Sequence, residues 1–267
     1  MARILAVVNQ KGGVGKTTTS VNLAASLAAL DRSVLLVDLD PQGNATMGSG
    51  IEKNQLKHSI YTVLLGLTGV EQAKQRSPTG KFDVLPANRE LAGAEIELVD
   101  VQQRESRLKA VLLALESNYD FVIIDCPPAL NLLTVNALTV AHAVLIPMQC
   151  EYYALEGLSD LVQTLKKVRA HLNPTLEVEG LLRTMFDPRN SLAQHVSAQL
   201  EQHFGEKVYK TVIPRNIRLA EAPSYGKPVM YYDPASKGAQ AYQGLAAELL
   251  ERTGNQNKDT ITNGETT

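Results

Sequence analysis

The chain has 267 residues, 44% of them hydrophobic and 20% charged, with a formal net charge of −2. That length and apolar content suffice to bury one large α/β core or two smaller ones, and they exclude wholesale disorder. With 26 basic against 28 acidic side chains there is no global basic field, so any surface for a polyanion has to be local.

Short apolar runs alternate with longer stretches of helical periodicity from end to end, the pattern of an α/β fold with a mostly parallel sheet and helices on both faces. Strands are expected at residues 4–9, 33–38, 82–85, 121–125, 143–148, 177–184 and 207–213. Several are unbroken Val/Ile/Leu runs, as strands buried on both faces require. No internal repeat interrupts the series.

The first strand runs into Gln10-Lys11-Gly12-Gly13-Val14-Gly15-Lys16-Thr17-Thr18 and then an Ala- and Leu-rich helix. Glycines let backbone N–H groups curl around a phosphate, and the helix N-terminus adds positive potential. Lys16 is placed to reach the β- and γ-phosphates of a nucleotide and the Thr17 hydroxyl to ligate Mg²⁺. Where the usual pattern opens on glycine, position 10 is Gln, and a second lysine, Lys11, stands inside the loop.

The second strand ends in Asp38, with Asp40 two residues on; the sequence alone leaves them as metal ligands, water-positioning groups or turn formers. Asp125 closes the strand at 121–125, where an acid holds Mg²⁺ through water, and Pro127-Pro128 then breaks the chain into a loop. Cys126 and Cys150 lie far apart at the ends of apolar runs and read as buried thiols, not as a disulfide or a zinc site. Leu155, Leu158, Leu161, Val162, Leu165 and Val168 recur at helical spacing, as do Tyr242, Leu245, Ala246 and Leu249; both stripes are core faces. Between residues 205 and 230, Lys207, Lys210, Arg215, Arg218 and Lys227 outnumber Glu206 and Glu221, a locally basic window in an acidic chain. The segment 253–267 is polar and is expected to fray, leaving 1–252 as the folded domain. Nothing reads as a transmembrane run or a signal peptide, so a cytosolic location is expected.

The run from Lys11 to Thr18 resembles the deviant phosphate loop of the ParA/MinD ATPases, and most closely that of the chromosomal ParA (Soj) partition proteins. The likeness extends to Val37-Asp38-Leu39-Asp40-Pro41-Gln42-Gly43-Asn44, Ile124-Asp125-Cys126-Pro127-Pro128, Gln149-Cys150-Glu151-Tyr152-Tyr153 and Val212-Ile213-Pro214-Arg215-Asn216, from about residue 3 to 250. The resemblance implies a P-loop ATPase using ATP and Mg²⁺, with Lys11, Gly12, Gly13, Val14, Gly15, Lys16, Thr17 and Thr18 around the phosphates and Thr17, Asp38 and Asp125 about the metal. It implies that Asp40 positions or activates the attacking water and that Pro214 and Asn216 hold the adenine. It further implies that Lys11 reaches the ATP of a partner subunit in a homodimer. A cation supplied in trans then offsets charge developing on the transferred phosphoryl group.

Residues matching Arg189 and Arg218 bind DNA non-specifically in relatives, so Arg189, Lys207, Lys210, Arg215 and Arg218 are the candidate DNA contacts. The implied function is segregation of a chromosome or plasmid. ATP dimers coat nucleoid DNA, and a ParB-type partner stimulates slow hydrolysis. The short segment before the loop matches relatives that lack an N-terminal helix-turn-helix. A MinD-like membrane ATPase is the alternative, but its amphipathic C-terminal helix has no counterpart in Glu251-Arg252-Thr253-Gly254-Asn255-Gln256. An iron–sulfur electron carrier is the third, and it would need paired cysteines that Cys126 and Cys150 do not supply.

Overall fold

The computed structural model of the chain describes residues 2–115 and 117–262. In chain order the first half runs β1 (Arg3–Val7), α1 (Lys16–Ala29), β2 (Val34–Asp38), α2 (Asn44–Gly48), α3 (Ile60–Leu64), α4 (Val70–Ala73), β3 (Gln75–Arg76), β4 (Asp83–Leu85), α5 (Leu91–Glu97) and α6 (Arg107–Leu113). The second half runs β5 (Phe121–Asp125), α7 (Leu132–Val140), β6 (Ala143–Gln149), α8 (Ala154–His171), β7 (Glu177–Phe186), α9 (Ser191–Phe204), β8 (Val208–Pro214), α10 (Ile217–Glu221), α11 (Val229–Tyr232) and α12 (Lys237–Thr262). The strands form one eight-stranded sheet in the order β3-β4-β2-β5-β1-β6-β7-β8, parallel throughout except where β3 meets β4.

All seven expected strands are present, most of them shifted by a residue or two at an end. β1 stops at Val7, two residues early, and beyond it Asn9 turns its side-chain amide to the Pro147 carbonyl at 2.8 Å. β3 was not foreseen: it is two exposed polar residues with no apolar period to betray it.

The unbroken apolar strands divide their side chains between two cores. Ile4, Ala6, Leu35, Val37, Val122, Ile124, Val144 and Ile146 pack on one face beneath α3, α5, α6, α7, α8 and α9. Leu5, Val7, Leu36, Ile123 and Leu145 pack on the other, against α1 and α12. Both helical stripes read from the sequence are core faces: Leu158, Leu161, Leu165 and Val168 belong to the first core, and Tyr242, Leu245, Ala246 and Leu249 to the second. α1 carries the phosphate loop at its N-terminus and is buried along most of its length, so the loop sits on a fixed support.

The exposed edge at β8 is closed by side chains of α12. Glu248 accepts from the Lys210 and Thr211 backbone N–H groups at 2.8 and 2.9 Å, and Arg252 donates to the Glu206 and Val208 carbonyls at 2.9 and 3.0 Å. These contacts satisfy an edge that would otherwise offer itself to another strand. α12 runs to Thr262, and residues 263–267 lie outside the described residues. Among the described residues no helix is long and apolar enough to cross a membrane.

Candidate active site

The carboxyl ends of β1, β2 and β5, adjacent in the sheet, deliver their residues to one crevice, where parallel α/β sheets place ligands. The loop from Gln10 to Gly15 leaves β1 and enters α1. Gly13 and Gly15 have φ of 74° and 91°, left-handed values that glycine adopts without cost, and Gly15 is the N-cap of α1. With no capping side chain there, the first N–H groups of α1 remain available to an anion. The loop is pinned from β7 as well, since the Thr184 hydroxyl donates to the Val14 carbonyl at 2.7 Å.

Lys16 is buried, and its ammonium bends back over the loop to the Lys11 carbonyl at 3.1 Å. Burial pushes its pKa down, opposed chiefly by the negative charge of Asp125. It has exchanged solvent for the loop interior, where a phosphate would find it.

Asp38 and Asp125 stand side by side in register at the ends of β2 and β5, both fully buried. Asp125 accepts from the Thr17 hydroxyl and the Ser20 hydroxyl, each at 2.8 Å. Asp38 accepts from the Thr46 backbone N–H at 2.8 Å, the Thr46 hydroxyl at 2.7 Å and the Asp40 N–H at 3.1 Å. Burial raises the pKa of both acids, and for Asp125 the neighbouring Asp38 charge raises it further. Two carboxylates and a hydroxyl at the ends of β2 and β5 suit a hard divalent ion. Among the described residues no three His, Cys, Asp or Glu side chains close a metal cage by themselves.

Asp40 lies just beyond, partly exposed, in a turn closed by the Gly43 N–H to the Asp40 carbonyl at 2.8 Å. Its Oδ1 accepts from the Gln42 N–H at 2.9 Å. Lys11, half exposed, holds its ammonium on Glu151, which follows β6. Asp125 is no helix cap: the next helix, α7, is capped by Asn131, beyond the Pro127-Pro128 break.

Pro214 and Asn216 line a mainly apolar cavity of about 390 Å³ that also touches Gly15, Thr18, Thr184, Met185 and Tyr242. The Asn216 side-chain oxygen is already engaged as the N-cap of α10, accepting from the Arg218 N–H at 2.9 Å. Its contribution to a ligand there falls to the amide nitrogen or the backbone.

The five candidate DNA contacts do not form one patch. Arg189, in the exposed turn after β7, gives Nε and Nη2 to the Asp187 carboxylate at 3.0 and 2.8 Å, and Arg215 stands close to the same acid. Arg218 on α10 pairs with Glu221 at 2.7 Å and Asp233 at 3.1 Å. Lys207 and Lys210 sit at the other end of β8, in a cleft they share with Glu179, Glu201, Glu206, Glu248 and Glu251.

Ser20, Thr46 and Glu151 take part in the site without a role in the sequence reading. Ser20 was within reach, one helical turn past Lys16 on the same face of α1. Thr46 carried no local signal. Cys126 and Cys150 are free and buried, and burial pushes both thiols up, Cys150 to about 11.

Comparison with known proteins agrees with this geometry. A family profile described as an AAA domain matches residues 2–178. The sporulation initiation inhibitor protein Soj of Bacillus subtilis is 55% identical over 93% of this chain and 98% of its own. The chromosome partitioning protein ParA of Caulobacter vibrioides is 51% identical over 94% of each. Among solved structures, a Mycobacterium smegmatis protein named cobyrinic acid a,c-diamide synthase, crystallised with ADP and magnesium, superposes with a TM-score of 0.84 at 40% identity. That match covers 95% of this chain and 96% of the other.

Proposed function

Because the chain belongs to the ParA/Soj family of chromosome-partitioning ATPases, we propose that it binds Mg²⁺ and ATP in the crevice at the ends of β1, β2 and β5 and couples hydrolysis to DNA segregation. The observation that carries this reading is the side-by-side placement of buried Asp38 and Asp125 next to the Thr17 hydroxyl, at the mouth of a glycine loop feeding a helix N-terminus.

The loop N–H groups from Gly12 to Thr18 and the Lys16 ammonium receive the phosphates. Thr17 and Asp125 would hold Mg²⁺, with Asp38 supporting them, and the ion would neutralise negative charge on the nucleotide phosphates. Asp40 orients the attacking water through the carboxylate oxygen its turn leaves free. The cavity lined by Pro214 and Asn216 takes the adenine.

Lys11 lies on the open side of the crevice, and in an ATP-bound homodimer it leaves Glu151 to meet the phosphates held by the partner. The exposed pair costs little to break, about 1 kcal/mol or less. Dimerisation brings two sets of Arg189, Arg215 and Arg218 together, so weak, salt-sensitive contacts with nucleoid DNA add up through effective concentration. A ParB-type centromere-binding partner then stimulates slow hydrolysis and releases monomers.

Size-exclusion chromatography with Mg-ATP tests the scheme. Wild type is expected to shift transiently to dimer, Lys16→Ala to stay monomeric, and Asp40→Ala to remain dimeric. Calorimetry that detects no ATP uptake by wild-type protein with magnesium present would remove the proposal.

A further inference from the structure

α2 begins without a cap of its own. Its N-cap is Gly43, at φ 61°, with no side chain to accept from the first N–H groups. The missing acceptor comes from another element: Oδ2 of Asp38, at the end of β2, takes the Thr46 N–H at 2.8 Å. The Thr46 hydroxyl joins it at 2.7 Å.

That hydroxyl is oriented from behind, because it accepts the Ala87 N–H at 2.9 Å and must therefore point its own hydrogen at Asp38. Thr139 on α7 returns its hydroxyl to the carbonyl four residues back, at Val135. Thr46, fully buried, gives its hydrogen to a carboxylate instead, as Thr17 and Ser20 do to Asp125. The other oxygen of Asp38 accepts the Asp40 N–H at 3.1 Å. A continuous chain of hydrogen bonds thus runs from Ala87 through Thr46 and Asp38 to the backbone of Asp40.

We propose that Thr46 is a positioning residue for ATP hydrolysis, fixing Asp38 and through it the backbone from which the Asp40 carboxylate is aimed. The inference rests on the reading that Asp40 orients the attacking water. Thr46 is fully buried, with its hydroxyl committed to Asp38 and the Ala87 N–H, so its removal is expected to act on the rate of the chemical step and to leave nucleotide affinity alone. A carboxylate root free to shift by about an ångström is enough to slow such a step by one to two orders of magnitude.

Thr46→Val keeps the shape and deletes the donor; Thr46→Ser keeps the donor and deletes the methyl. With full-length protein and Mg-ATP, single-turnover phosphate release is expected to fall about tenfold or more in Thr46→Val, with the ATP dissociation constant within about threefold of wild type. Thr46→Ser is expected to recover most of the rate. A wild-type rate in Thr46→Val, or an equal loss in Thr46→Ser, overturns the proposal. Should Thr46→Val melt below the assay temperature, Thr46→Cys offers a weaker donor in the same place. A rate between those of Thr46→Ser and Asp40→Ala then supports the role, and a wild-type rate refutes it.

Asp40→Ala separates the two layers. If it hydrolyses ATP normally, the reading of Asp40 fails and the role of Thr46 fails with it. If it binds ATP without hydrolysis while Thr46→Val turns over normally, only the positioning role is lost.

Discussion

Two glycines of the site do different work, and substitution separates them. At Gly15 an added Cβ would meet Thr184 at 3.7 Å, an ordinary contact, so the penalty of Gly15→Ala is the left-handed backbone alone, about 1–2 kcal/mol. At Gly43 an added Cβ would stand 2.6 Å from the Ala87 carbonyl oxygen, a backbone atom that cannot swing away, on top of a φ of 61°. Gly43→Ala is therefore expected to lower stability by more, about 2–5 kcal/mol, read from urea unfolding midpoints. Their functional order should be reversed, with Gly15→Ala losing more ATP affinity because the loop N–H groups move. The glycine loop with Lys16 and Thr17 was legible from spacing alone, since a phosphate cradle demands those residue types in a row. Thr46 was not, because its importance lies in a bond to Asp38, eight positions earlier on another element.

α12 does more than cover the second core. Glu248 accepts two backbone N–H groups of β8, and although burial pushes its carboxyl up, those bonds outweigh burial and hold its pKa below the ordinary 4.5. A carboxyl with a depressed folded-state pKa adds stability above its unfolded value and loses it as pH falls through the folded one. Melts of wild type and Glu248→Gln should therefore differ by a constant amount from neutral pH down to about 4.5, and converge below it. A gap that does not change with pH would mean that the charge on Glu248 does nothing at this edge. The expected strands at 4–9, 33–38, 121–125 and 143–148 were legible because each holds an apolar run of at least three residues. β3 escaped because two exposed polar residues pair only by virtue of the strand beside them.

The assembled molecule decides what the basic residues can do. Arg189 is largely exposed, yet its guanidinium is spent on Asp187, whose carboxyl that arginine holds down at about 2. A DNA phosphate has to compete with this internal carboxylate. Arg189→Ala and Arg218→Ala should each weaken retention on DNA in the ATP state and reduce the slope of log affinity against log salt by about one, with ATP binding intact. Asp187→Asn should do the opposite and tighten retention, because it frees Arg189. Filter binding across a salt series reads all three, and an unchanged slope in both arginine variants would remove them from the DNA surface. Lys207→Ala is expected to change little, since Lys207 shares its cleft with five glutamates.

Composition and pattern determined the layered α/β fold, the position of the phosphate loop and the acids at the strand ends. Those are properties of residue order, written by the two-sided burial of parallel strands and by the steric demands of a phosphate on a backbone. Tertiary structure alone decided which acids share a crevice, that Lys11 rests on Glu151, and that a basic window splits between two ends of β8. The reason is distance along the chain: contacts between residues eight to 140 positions apart depend on strand order and register, and no local pattern encodes either.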